Sequence, residues 1–233
     1  MIKLASLLVL TIGLASANTI TWTTPAGSTS AGGLVDASAT VITSTGSVTV
    51  TLNDLLGNPH NVGQLLSDFS FTLSSAPTTA LNTTNTPTGS LINIADGGIA
   101  TANADAVASW GLTSSGPAIH LNSLAGGATQ TIIGPAGPGG VYDNANGSIA
   151  GNPGHNPFLN GTATFTFAVA GVTADTSGTD ATFSFGTTVG DNVPGTCPDC
   201  GGGTQQDIPE PLSMFLMGGG LLGVGIFGKF RRA

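Results

Sequence analysis

The stretch at 162–169, Thr-Ala-Thr-Phe-Thr-Phe-Ala-Val, alternates strictly: Ala163, Phe165, Phe167 and Val169 fall on one side, and mostly threonines on the other. A period of two fits a half-buried β-strand and leaves no apolar face for a helix. The same alternation returns at 47–52, 69–73 and 181–185, and Trp22 lies in another threonine-rich stretch at 19–23. Helical periodicity is nearly absent between the two chain ends, where 62–66 has room for a single turn. Short strands separated by clusters of Gly, Pro, Asn and Ser predict an all-β domain, an antiparallel β-sandwich over 18–194, long enough to bury a core. The segments ATFTF and ATFSF stand 18 residues apart with no third copy. That spacing predicts two neighbouring strands rather than a solenoid.

Charge narrows the function. The four basic residues, Lys3, Lys229, Arg231 and Arg232, all lie near the ends, so 18–211 contains no Lys or Arg and carries eleven Asp and one Glu. A surface of that sign repels phosphate backbones, which excludes nucleic-acid binding. Chemistry that needs a Lys base or an Arg clamp is excluded on the same ground. Without Lys, the sheet edges lack their commonest guard, and edge-to-edge association stays open.

Both ends read as targeting segments. Lys3, an apolar run at 4–14 and Ala15-Ser16-Ala17 form a secretory signal, with cleavage expected between Ala17 and Asn18 by signal peptidase. Near the other end, 212–228 is uncharged over 17 residues and is followed by Lys229, Arg231 and Arg232. At about 1.5 Å per residue it reaches the lower limit for spanning a membrane as one C-terminal transmembrane helix. Basic residues after the span place the tail in the cytoplasm and the body outside, as an inner-membrane single-pass precursor later delivered to the cell surface or beyond. Gly219 and Gly223 suit close approach of a second helix, although glycine is also tolerated in spans without a partner.

Ile208-Pro209-Glu210-Pro211, the glycine-rich apolar stretch and the terminal Lys-x-Arg-Arg together resemble the PEP-CTERM sorting signal of bacterial envelope proteins. The resemblance covers about the last 25 residues. It implies recognition by exosortase, a membrane-embedded cysteine peptidase, removal of the tail near Pro209, Glu210 and Pro211, and attachment to the cell surface or to exopolysaccharide. The prolines keep this segment extended, because each fixes its own φ and biases the residue before it away from helix. The chain thereby divides into a signal peptide at 1–17, the β-domain at 18–194, a Cys/Gly-rich linker at 195–208 and a sorting signal at 209–233.

Residues with chemical potential are few. Cys197 and Cys200 are the only cysteines, and in an exported chain they are expected to form a local disulfide. A thioredoxin-like role would need a helix where Gly201 to Gly203 stand, and zinc would need two of His60, His120 and His155. Serine-hydrolase, zinc-protease and paired-carboxylate patterns are not recognisable. Asp143-Asn-Ala-Asn-Gly147 departs from the calcium-loop pattern at its third position, leaving at most weak calcium binding by scattered Asp and Asn. The segment 134–157 is too rich in Gly, Pro and Asn for regular structure, and it reads either as a mobile loop or as a ligand loop built on Tyr142, Asp143 and His155. Two functions compete. One is a non-enzymatic surface or extracellular-matrix protein with no cofactor. The other is a carbohydrate-binding module with Trp22, Trp110 and Tyr142 as stacking platforms.

Overall fold

A computed structural model describes residues 17–124 and 130–198. In chain order the strands are β1 (Asn18–Thr23), β2 (Thr29–Ser30), β3 (Gly33–Leu34), β4 (Ala37–Ser44), β5 (Ser47–Asp54), β6 (Leu66–Leu73), β7 (Asn82–Asn85) and β8 (Leu91–Ile94). They continue with β9 (Ala100–Asn103), β10 (Trp110–Ser115), β11 (Ala118–Asn122), β12 (Ile132–Ile133), β13 (Phe158–Asn160), β14 (Thr162–Ala168), β15 (Gly178–Phe185) and β16 (Asn192–Pro194). Two short 3-10 turns, Val62–Gln64 and Pro138–Gly140, complete the elements among the described residues.

Alternation builds the sheets. β4 and β5 bury every second residue, and they are joined through Thr45 and Gly46, where Gly46 takes φ 74, the left-handed backbone that a two-residue hairpin needs. With β1 and β14 they form a four-stranded antiparallel sheet in the order β1-β4-β5-β14. A ten-stranded sheet is organised around β6, which pairs with β11, with β15 and, at Leu66, with β12. From β11 it continues to β10 and β7, from β15 to β16, and from β12 to β13, β8 and β9.

The inward faces of both sheets meet in one apolar core that includes Val50, Leu52 and Phe165 from the small sheet and Phe69, Phe71 and Phe183 from the large one. Each fully buried side chain of this size contributes about 1.5–3 kcal/mol. Trp22 lies 6.3 Å from Phe69 and 6.4 Å from Phe71 between ring centroids, and Trp110 lies 5.1 Å from Phe165. A second, smaller core gathers Leu65, Ile92, Ile94, Ile133, Tyr142, Ile149 and Phe158.

The structure corrects three expectations. The domain is mostly β-strand, but it is not a purely antiparallel sandwich: β12 and β13 run parallel, so the large sheet is mixed and open. Parallel neighbours need a long crossover, and 134–157 is the connection that supplies it. Second, among the described residues no helix is long and apolar enough to cross a membrane. The expected span at 212–228 lies outside the described residues, together with Ala15, Cys200, Pro209, Glu210, Pro211, Lys229, Arg231 and Arg232. The expectation of a β-domain followed by a transmembrane helix, and with it the single-pass inner-membrane precursor, finds no such helix among the described residues. Third, the repeated segments are not neighbours. ATFTF belongs to β14, paired with β5, whereas ATFSF belongs to β15, paired with β6. A period of two shows that a strand has one buried face and is silent about which sheet receives it.

Candidate functional site

The outward face of the large sheet carries the clearest cluster of polar side chains. Register sets it: His120 stands opposite Ser70 and Asn122 opposite Asp68 across β11 and β6, while Ser70 faces Thr182 and Asp68 faces Ser184 across β6 and β15. Their sequence neighbours Phe69, Phe71, Ile119, Leu121 and Phe183 fill the core, so alternation forces these residues outward. Asp68, Ser70, His120, Thr182 and Ser184 line a cavity of about 200 Å³ with Asn192, whose side-chain oxygen accepts a hydrogen bond from Ser184 Oγ at 2.6 Å.

His120 Nε2 and Asp68 Oδ2 are 2.5 Å apart, with Asp68 nearly buried and the imidazole 41% exposed. The hydrogen bond to Asp68 raises the His120 pKa, desolvation opposes it, and the carboxylate charge adds to the rise. In a domain without Lys or Arg, histidine is the available counter-charge for this carboxylate. The pair fixes the ring orientation and presents donors and acceptors to a polar solute. With Nε2 bonded to Asp68, nucleophilic catalysis would further need a nucleophile within reach of the second ring nitrogen, Nδ1.

A second titratable centre is internal. Asp54 is buried at the end of β5, where Oδ1 accepts from Leu56 N at 3.1 Å and Oδ2 from Leu66 N at 3.3 Å. Desolvation pushes its carboxyl well above the ordinary value, against the lowering effect of these backbone donors. Tyr142 OH donates to Gly134 O at 2.9 Å, and burial, then the Asp54 charge, push the phenol up to about 12. Neither group faces solvent: Tyr142 braces the smaller core, and Asp54 ties the Leu56 and Leu66 amides to the end of β5.

The expected ligand platforms are placed differently. Trp22 and Trp110 are 1% exposed and Tyr142 is 2% exposed, so no ring face is left for a sugar. The physical reason lies in the strands: Trp22 shares the inward side of β1 with Ile20, and Trp110 opens β10 on the side of Leu112. The segment 134–157 is tied down by Tyr142 N to Gly98 O at 2.9 Å, Asn146 N to His60 O at 2.7 Å and Gly151 N to Ile94 O at 2.9 Å. Within it, the Asp143 carboxylate accepts from Asn58 Nδ2, and His155 Nδ1 pairs with Ser148 O at 2.8 Å, so Tyr142, Asp143 and His155 do not converge. Among the described residues no three His, Cys, Asp or Glu side chains gather as a metal site.

Cys197 is disulfide-bonded and packs against the main core. Asn18 opens β1, and its Nδ2 donates to Thr176 O at 3.2 Å. Alternation had marked the outward positions of β6 and β15, but the meeting of His120 with Asp68 depends on a pairing between distant strands. No family model, curated protein or solved structure matches this chain. The PEP-CTERM designation, with its signal peptide, transmembrane helix and exosortase, therefore gains no support from relatives, and the β-rich fold is what stands.

Proposed function

We propose that this is a non-enzymatic exported protein of the cell surface or extracellular matrix, with the β-domain as its building block. The observation that carries this reading is how the domain uses its reactive groups. Trp22, Trp110 and Tyr142 fill the cores, Asp54 braces backbone amides, and His120 neutralises Asp68. Those groups serve the architecture. The disulfide at Cys197 suits an oxidising compartment. Cleavage by signal peptidase between Ala17 and Asn18 would leave β1 whole, since the strand begins at Asn18.

The partner in this reading is exosortase, acting near Pro209, Glu210 and Pro211 on the strength of the resemblance in residues 208–232, with exopolysaccharide as the material to which the product is tied. The test is intact mass of the full chain expressed in hosts with and without exosortase. Loss of the residues from about Pro209 onward in the exosortase host alone is the expected result. A mass that still includes Arg232 in both hosts would refute sorting.

A further inference from the structure

The outward face of the small sheet is set by strand register. Thr21, Thr40, Thr51 and Thr164 align in one row across β1, β4, β5 and β14, and Thr88 continues it through its bridge to Thr164. The adjacent row is Thr19, Ile42, Thr49 and Thr166. Neighbouring hydroxyls touch: Thr51 with Thr164 and Thr49 with Thr166, each at 3.1 Å. The other outward positions are Thr, Ser, Asn and Ala, so the face holds no charged residue. Its repeat is about 4.8 Å from strand to strand and about 6.7 Å along each strand.

What such a face recognises follows from its chemistry. Lacking charge, it has no purchase on an ion, a phosphate or a charged peptide. The domain's tryptophans and tyrosine are buried, so it offers none of them for stacking on a sugar ring. Four strands by four outward positions give a face on the order of 400 Å². That is about half of the roughly 800 Å² each partner contributes to a stable protein interface, which disfavours a second copy of this chain. The partner that fits is uncharged, periodic and made of groups that both donate and accept hydrogen bonds, as each threonine hydroxyl does. Ice has those properties.

We infer that the threonine rows of the small sheet form an ice-binding face. The hydroxyls hold first-layer water in register, the methyl groups between them leave room for that layer, and stiff β-branched side chains lower the entropy lost when the lattice docks. Strand twist of about 20–25° per neighbour turns the outer strands away from a flat lattice. The contact is therefore centred on Thr40, Thr51 and Thr164. This property does not depend on how the protein is exported or sorted.

The experiment uses the purified full-length chain in an ice-recrystallisation assay, together with its partition into a growing ice hemisphere. Wild type is expected to enter the ice and to arrest recrystallisation. Thr51→Tyr places a ring across the middle row and is expected to need at least about tenfold more protein for the same arrest, with an unchanged circular dichroism spectrum. Thr166→Lys, at an exposed position of the adjacent row, gives a second variant should Thr51→Tyr fail to fold. Thr113→Tyr, on the outward face of the large sheet opposite His120, is expected to behave as wild type. Exclusion of wild type from ice, or equal potency of Thr51→Tyr, would overturn the inference. So would retention on insoluble cellulose with exclusion from ice, which would assign the face to a polysaccharide.

Discussion

Replacing Gly178 by Ala drives a methyl group into Trp22. A Cβ built at this position of β15 lies 2.3 Å from Trp22 Cη2 and 2.7 Å from Cζ2, whereas real Cβ contacts stay beyond 3.0 Å. Trp22 cannot swing aside cheaply, because Phe69 and Phe71 flank it and the residue is 1% exposed. Overpacking of a closed core costs typically about 1–3 kcal/mol. For a domain of this size that corresponds to a Tm lower by roughly 2–12 °C. Urea unfolding and thermal scans of wild type, Gly178→Ala, Trp22→Phe and the double variant form the assay. Trp22→Phe removes the atoms that clash, so the double variant is expected to be more stable than the sum of the single costs by at least about 0.5 kcal/mol. Simple additivity, or a Gly178→Ala variant as stable as wild type, would refute the close packing of Gly178 on Trp22.

Two further substitutions address the polar centres. Asp68→Asn removes the main cause of the raised His120 pKa, so the imidazole, followed by NMR, should titrate lower than in wild type; an unchanged midpoint would dismiss the pair. Tyr142→Phe deletes the hydrogen bond to Gly134 O inside the smaller core and should cost about 0.5–1.5 kcal/mol in urea unfolding, with a neutral result showing that the brace is unimportant.

Local strand structure was legible in the sequence because period two is a local property. The stretch at 162–169 became β14 at Thr162–Ala168, 47–52 became part of β5 at Ser47–Asp54, and the turn at 62–66 became the 3-10 turn Val62–Gln64, capped by Asn61. The alternation of Trp22 with Thr21 and Thr23 marked one side of β1, but the stacking role expected of Trp22 failed because that side faces the core. What stayed hidden is non-local. β7 at Asn82–Asn85 is wholly polar and is a strand because β10 pairs with it. β8 and β9 are four residues each, too short to show a period. The role of 134–157 as a crossover appears once β12 is placed beside β13, and the His120–Asp68 pair once β11 is placed beside β6. The threonine rows belong to the same class: each strand shows its threonines in sequence, but only the pairing of β1, β4, β5 and β14 turns them into a lattice.

The absence of Lys and Arg from the domain changes how acid acts on it. Carboxylates in most proteins favour the fold by pairing with cations, and acid removes that favour. In this domain two titratable groups with raised pKa, Asp54 and His120, act in the opposite sense. Desolvation raises the Asp54 pKa, so the folded state holds this proton to higher pH than the unfolded chain does. Its contribution is full below the ordinary value of 3.8 and is lost as pH rises through the raised value. The His120 pKa is raised chiefly by the hydrogen bond to Asp68, so the stability from this pair is full below 6.5 and is lost as pH rises through its raised value. Ionised aspartates elsewhere repel one another with no Lys or Arg to offset them, and protonation relieves that repulsion. All three effects have the same sign. The maximum of Tm, scanned from about pH 4 to about pH 8, is therefore expected on the acid side of neutrality. Added salt should raise Tm most at the upper end, where self-repulsion is largest. Asp54→Asn should weaken the pH dependence above 3.8, because the group that titrates there is gone. A Tm that climbs steadily toward pH 8 would mean that the carboxylates favour the fold in their charged form, and the protonated states of Asp54 and His120 would then not be the ones that stabilise it.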